Sequence, residues 1–405
     1  MIMKRNALLR FSVLLTVLCL LATAFSGCGM VKGIRDLVVK GTAEWDEILF
    51  NEGMLAARDG DLYGFVDTKG EFVIEPAFEN ATNFADNGLA CVKKDGKYGF
   101  INKRGKTVID FEFDDAYGFM DRNYTLVSKG GQWGTIDKKG NYIIEPQFEA
   151  MVLFADNGLA LAKTDGLWGF VDKNGDFVIQ PKYSNAKSFQ DNGLAAVREN
   201  DLWGYIDEDG SYVIDPAFDT ALNFTEKVAG VEQDGKWGVI KADGSWVIKP
   251  VYDRVYAFSN GYAVVKLNGE YGYLDAKGKE ILSPRYVWNS AVSPNGLTFV
   301  KMGSKYGVVN TKGDMIINPI YDNGTRFAAN GYAAVTLDGD CGYINAKGET
   351  VIDFQFDDAS HFFKDGYALV KMGNKYGVID EKGKYVIPPT LDDIEATRKD
   401  DGFSA

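Results

Sequence analysis

An aromatic-glycine pair returns ten times along this chain at an almost constant spacing. It stands at Tyr63-Gly64, Tyr98-Gly99, Trp133-Gly134, Trp168-Gly169, Trp203-Gly204, Trp237-Gly238, Tyr271-Gly272, Tyr306-Gly307, Cys341-Gly342 (Cys in the aromatic place) and Tyr376-Gly377. Successive steps are 35 residues, except for two of 34 on either side of Trp237. A fixed period in this range is the mark of a repeat architecture, in which each copy is one small unit that neighbours must cover.

One copy, Gly158 to Asn192, shows how the unit folds. The apolar run Leu159-Ala160-Leu161-Ala162 leads into Asp165-Gly166, and the same slot holds Asp95-Gly96, Gly130-Gly131, Asp234-Gly235, Asn268-Gly269 and Asp338-Gly339. Asp-Gly and Asn-Gly accept the positive φ angles of a type I′ turn, so this slot predicts a tight β-hairpin. A second run, Trp168 to Val171, ends at Asp172-Lys173-Asn174-Gly175, and a Gly closes the same four-residue break in all ten copies. That pattern is type I turn chemistry. A third run, Phe177-Val178-Ile179, is expected to end at Pro181, which cannot donate to a ladder. The unit is therefore read as a three-stranded antiparallel meander. Adjacent apolar residues in its first and third strands make both faces apolar, which only stacking on sibling units can shield. Between units lies a connector with an aromatic (Phe78, Phe148, Tyr183, Tyr252), a short acidic pair such as Asp114-Asp115, and a Phe (Phe84, Phe154, Phe189, Phe258).

These features resemble the WG-repeat family of bacterial surface and secreted proteins. The family pattern stands here as Gly193-Leu194-Ala195-Ala196-Val197, Trp203-Gly204-Tyr205-Ile206-Asp207, and Val213-Ile214 followed by Pro216 and Phe218. The resemblance spans about residues 53–391 and implies an all-β domain used for display or binding, with no catalytic residues to carry over. The expected fold class is all-β: a tandem array of about ten three-stranded antiparallel units of 35 residues, closed as a β-propeller-like ring in preference to an open β-solenoid. Propellers of four to eight blades are the usual range, so ten units would make a large ring. No strand overlap joining the two ends is evident in the sequence.

The first residues form a targeting signal. Lys4, Arg5 and Arg10 precede a roughly 15-residue apolar run from Phe11 to Phe25, short of the ~20 residues a membrane span needs. Phe25-Ser26-Gly27-Cys28 then resembles a bacterial lipobox, with Phe25 a departure from the usual aliphatic residue. That resemblance implies a signal peptide at 1–27, lipidation of Cys28 and anchoring to the membrane through it. Residues 28–52 read as a linker and a degraded half-repeat cap (Trp45 to Phe50), 53–391 as the ten repeats, and 392–405 as a tail or partial repeat.

With 44 Lys+Arg against 57 Asp+Glu the chain carries −13, which argues against nucleic acid as a partner. Cys91 and Cys341, far apart in sequence and outside any Cys-x-x-Cys pair, predict neither zinc nor a disulfide. His361 is the only histidine, and no nucleophile elbow accompanies it. The Asp172 turn has its Gly in the fourth place rather than the sixth of a calcium loop. Acidic pairs recur in copy after copy, whereas a catalytic pair would break the pattern once. We therefore expect no catalytic residues, no metal and no cofactor. The real departures are Val287-Trp288, where other copies carry the acidic pair, Val292 in place of the anchoring Phe, and Trp246, where others have Phe177 or Tyr212. Trp288 either fills the gap left at Val292 or is exposed for a partner; with Trp246 it is the candidate contact for a protein or envelope polysaccharide. The expected function is a non-enzymatic binding or scaffold lipoprotein of the cell envelope, with a propeller-type glycan hydrolase as the alternative.

Overall fold

The computed structural model describes residues 48–119 and 122–395. These residues form ten four-stranded antiparallel sheets and no helix. The sheets follow one another as ten blades of a closed β-propeller. Ring closure is thus as the sequence led us to expect.

Blade 4 serves as the pattern. Its strands are Ala150–Met151, Ala160–Thr164, Leu167–Val171 and Phe177–Tyr183, hydrogen-bonded in that order. Both hairpin expectations hold. Asp165 and Gly166 have φ of 49° and 77°, and Gly175 has φ of 88° with its N–H bonded to the Asp172 carbonyl at 3.0 Å. The turn glycine is doubly constrained, because a Cβ on Gly175 would also lie 3.0 Å from Ile144 of the preceding blade.

Three expectations need correction. The unit is not three-stranded: the connector after one blade's last strand runs directly into a two-residue strand on the edge of the next sheet, as Ala150–Met151 does against Ala162 and Lys163. Nor does Pro181 end the last strand. Trp168 pairs with Tyr183 while Phe170 pairs with Ile179, so two residues on one strand oppose four on the other. Pro181 sits in this bulge, where no ladder N–H is required. Finally, the strands covered on both faces are the second and third of the sheet, where Leu161, Ala162, Phe170 and Val171 are all buried. The last strand is an edge with one outward side, so Ile179 is buried and Val178 is 51% exposed.

The bulge explains the aromatic-glycine pair. Gly169 stands opposite it, and a Cβ there would lie 2.5 Å from the Ile179 carbonyl oxygen and 2.8 Å from the Pro181 nitrogen. The preceding aromatic pairs across the sheet with the ring that ends the last strand, as in Trp168 with Tyr183 and Trp203 with Phe218. Between blades, the third-strand residue after the glycine meets the connector Phe: Phe65 with Phe84 at 4.6 Å, Phe170 with Phe189 at 4.7 Å, Tyr205 with Phe224 at 4.7 Å. Such inter-blade clusters repeat around the ring.

The ends share the work of closing it. Asp393–Glu395 supplies blade 1 with its edge strand, pairing Arg58 with Asp393 and Ala57 with Ile394. Leu49, one period before Phe84, supplies the buried connector anchor. The Leu49 and Phe50 amides both donate to Asp365 Oδ2, at 3.0 and 2.9 Å. One connector is thus assembled from the two ends of the chain.

Candidate functional site

The recurring carboxylates are structural. In most connectors the first acid accepts from the hairpin turn of the following blade: Glu79 from Gly96 N at 3.0 Å, Asp322 from Asp338 N at 2.9 Å. In several copies a lysine of the preceding blade joins in, as Lys236 to Asp253 at 2.8 Å. The Lys236 hydrogen bond, with help from the Gly269 turn amide, holds the Asp253 carboxyl below its ordinary range. The seam between blades 10 and 1 uses the same stitch, Lys375 to Asp392 at 2.7 Å and Gly60 N to Asp392 at 2.8 Å. The second acid often bonds the next backbone N–H, as Asp358 does with Ala359 at 2.9 Å. In the type I turns, Asp172 Oδ1 accepts from Asn174 N at 2.8 Å and Asp176 N at 3.1 Å, so this carboxylate organises its own loop.

His361 is buried beside Phe363, with ring centroids 5.2 Å apart. Burial first, and the Arg326 charge second, push its pKa down to about 3. The folded protein therefore keeps the imidazole neutral where an unfolded chain, near 6.5, would bind a proton. Stability from this group is complete above pH 6.5 and is lost as pH falls from there towards 3. We expect acid to lower stability more steeply in the native protein than in His361→Phe across that window, by a few kcal/mol at most. Urea midpoints at pH 7 and pH 4 check this; equal pH slopes would show the histidine to be hydrated. Cys91 and Cys341 are both buried and, among the described residues, form no disulfide.

The aromatic of the aromatic-glycine pair carries a cation over its face in many blades, as Lys163 over Trp168 at 5.7 Å and Lys301 over Tyr306 at 5.1 Å. Trp246 lies over Gly238, whose added Cβ would come within 2.7 Å of the indole, and meets Phe218 of blade 5 edge-on at 6.0 Å. It takes the inter-blade slot that Phe177 fills against Phe148. Trp288 turns inward against Tyr306 at 5.4 Å and joins the core of blade 8. Both indoles remain partly accessible, and neighbouring Val287 is 57% exposed. Val292, which replaces Phe, shares a core cluster with Tyr273, whose hydroxyl bonds the Ser290 carbonyl and, at 2.6 Å, Thr298 Oγ1. Cys28 lies outside the described residues.

Sequence reasoning passed over Lys187 and Arg254. They occupy connector slots that hold Val152 and Leu222, or Asn185 and Asp358, in other copies, and a cation where the repeat elsewhere carries a neutral or acidic residue was the available signal. With Tyr256, Trp246 and Trp288 they place the departures from the repeat on blades 5 to 8.

Ten blades of one repeating unit, closed through their ends, define a repeat β-propeller. The chain belongs to the WG-containing repeat family, which matches ten successive segments from 63–98 to 376–404. Curated proteins give no match. Among solved structures, a crystal structure of the eukaryotic initiation factor superposes with a TM-score of 0.51 at 11% identity, covering 85% of this chain and 98% of that one. At that identity the likeness concerns the fold alone. Weaker likenesses are PorZ, a surface component of the type-IX secretion system of Porphyromonas gingivalis, and the extracellular domain of a hybrid two-component system from B. thetaiotaomicron. For PorZ the TM-score is 0.27 at 9% identity, covering 82% of this chain and 57% of that one. For the B. thetaiotaomicron domain it is 0.28 at 11%, covering 87% and 56%.

Proposed function

We propose that this protein is an exported, lipid-anchored scaffold of the cell envelope that binds a protein or polysaccharide partner and carries out no catalysis of its own. The observation that supports this most is the employment of the carboxylates. The repeating acids hold turns and stitch blades, as Asp253 and Asp392 do, instead of converging on a cleft. The departures that remain are aromatic and cationic, which suits recognition. Anchoring rests on the Cys28 sequence, and a short linker would hold the ring close to the membrane.

Val287 and Trp288 form the contact we favour, since they replace an acidic pair with an exposed aliphatic and a partly exposed indole. The test is capture of partners from envelope extract by the purified protein, compared with Val287→Asp and Trp288→Ala. Val287→Asp touches an exposed side chain and leaves folding intact, so it should cut recovery of the partner roughly tenfold. Undiminished capture by both variants would move the contact elsewhere. Separately, Cys28→Ser should release the protein from the membrane fraction; unchanged fractionation would remove the lipid anchor.

A further inference from the structure

The last strand of each blade pairs with a neighbour on one side only. An edge left open in this way offers its N–H and C=O groups to any strand that comes past, and natural sheets blunt such edges with charge or proline. Nine of the ten are blunted here. Eight last strands carry a charged side chain, as at Glu75, Lys182, Asp215 and Lys249. The last strand of blade 10 is uncharged, but Pro388 and Pro389 follow one another in it. Blade 8 is the exception: its last strand, Met315–Tyr321, holds no charge and a single proline. Met315, Ile316 and Ile320 are all exposed, whereas no other last strand exposes more than one large apolar side chain.

The backbone of this strand is set for an addition. A Cβ on Gly307 would lie 2.6 Å from the Ile317 carbonyl oxygen, so Ile317 turns its polar groups inward to the third strand. Alternation then points the N–H and C=O of Ile316 and Asn318 away from the sheet, where no described strand pairs with them. Pro319, within the bulge, has no N–H to leave unpaired. Ile317 and Tyr321 are buried, and Ile316, Asn318 and Ile320 form the opposite, exposed face. A strand laid along this edge therefore gains backbone bonds on one side and apolar cover from two isoleucines.

We propose that the open edge of blade 8 captures an extended, uncharged peptide segment with basic residues at its ends, which joins the sheet as a fifth strand. Outward amides at every second residue match another polypeptide backbone, and a polysaccharide has no such ladder. The strand's seven uncharged residues favour a segment that brings no charge against them. Asp314 and Asp322, both exposed, stand at its two ends and call for positive flanks. The same acids disfavour a second copy of this chain, since antiparallel pairing would set Asp314 of one molecule against Asp322 of the other. The site stands apart from Val287 and Trp288, so the capture from envelope extract can fail without touching it.

The test is fluorescence anisotropy of the full protein with a labelled synthetic peptide of alternating valine and threonine, a lysine at each end. A second peptide of the same sequence is methylated at every backbone nitrogen, which keeps its charge and side chains and removes its N–H donors. The first peptide is expected to bind, and methylation to weaken it roughly tenfold or more. Ile320→Lys and Asn318→Asp should weaken it by a similar factor. Both variants should unfold at the native temperature, because Lys182 and Asp215 already hold those places in blades 4 and 5. The methylated peptide decides the matter even where a variant fails to fold. Sedimentation of the protein alone reads the competing occupant. The proposal is overturned if the peptide does not bind, if the methylated form binds as well, or if both variants bind like the native protein. A dimer that Ile320→Lys turns into monomer likewise overturns it, and gives the edge to a second copy.

Discussion

Replacing Gly134 by alanine should destabilise the protein by about 3 kcal/mol or more, although the position needs no unusual backbone angle. Gly134 is absent from the positive-φ glycines, so the cost does not come from conformation. It comes from space: the new Cβ would lie 2.3 Å from the Ile144 carbonyl oxygen and 2.8 Å from the Pro146 nitrogen. Both are backbone atoms of the bulged last strand, which can retreat only by giving up its pairing between Trp133 and Phe148. Gly131 is the contrasting position. It has φ of 79° and nothing within 4 Å of an added Cβ, so Gly131→Asn should change stability by no more than about 1 kcal/mol. Denaturant unfolding of the two variants decides the matter. Equal midpoints for Gly134→Ala and the native protein would mean that the glycine is not there to admit the bulge.

The second large effect concerns the seam. Ending the chain at Leu391 removes the edge strand of blade 1, the Asp392 stitch to Lys375 and Gly60, and the buried Ile394. Loss of a buried isoleucine alone costs about 2–5 kcal/mol, and the strand and the stitch go with it. In an open array such a truncation would fray one terminal unit and leave the others nearly untouched. In the closed ring it uncovers blade 1 and blade 10 together, since Leu55, Val66, Leu369 and Val378 share one cluster with Ile394. We expect loss of a single cooperative unfolding transition and a larger radius of gyration in solution scattering. A truncated protein with native dimensions and native cooperativity would show that closure does not depend on this strand.

What could be read in the sequence was what the chain requires locally. Asp165-Gly166 and Gly175 declare their turns because positive φ is a demand on single residues. The reason for Gly169 was hidden, since it depends on a strand that arrives ten residues later and bulges at Pro181. Two-residue strands such as Ala150–Met151 are too short to leave a periodic signature. Closure was legible in principle: Leu391-Asp392-Asp393-Ile394 repeats Phe356-Asp357-Asp358-Ala359 one period on, and Leu49 precedes Phe84 by the same step. The ring itself was expected, but the strand that closes it was missed, because each end holds only part of a connector. Trp246 and Trp288 were flagged as departures, but which rings they would face depends on packing between blades. Lys187 and Arg254 are two among 44 basic residues, and only the fold shows that each lies over a tryptophan ring.

The connector built from both ends has a consequence for how molecules of this protein meet one another. The docking groove on blade 1 cannot tell its own terminal strand from that of another copy. Selection of the self-contained form is a matter of effective concentration, set by a tether that the folded ring keeps short. If crowding on a membrane brings neighbours near enough to compete, opened molecules can hand their ends onward and join head to tail, an assembly whose links are those of the solitary ring.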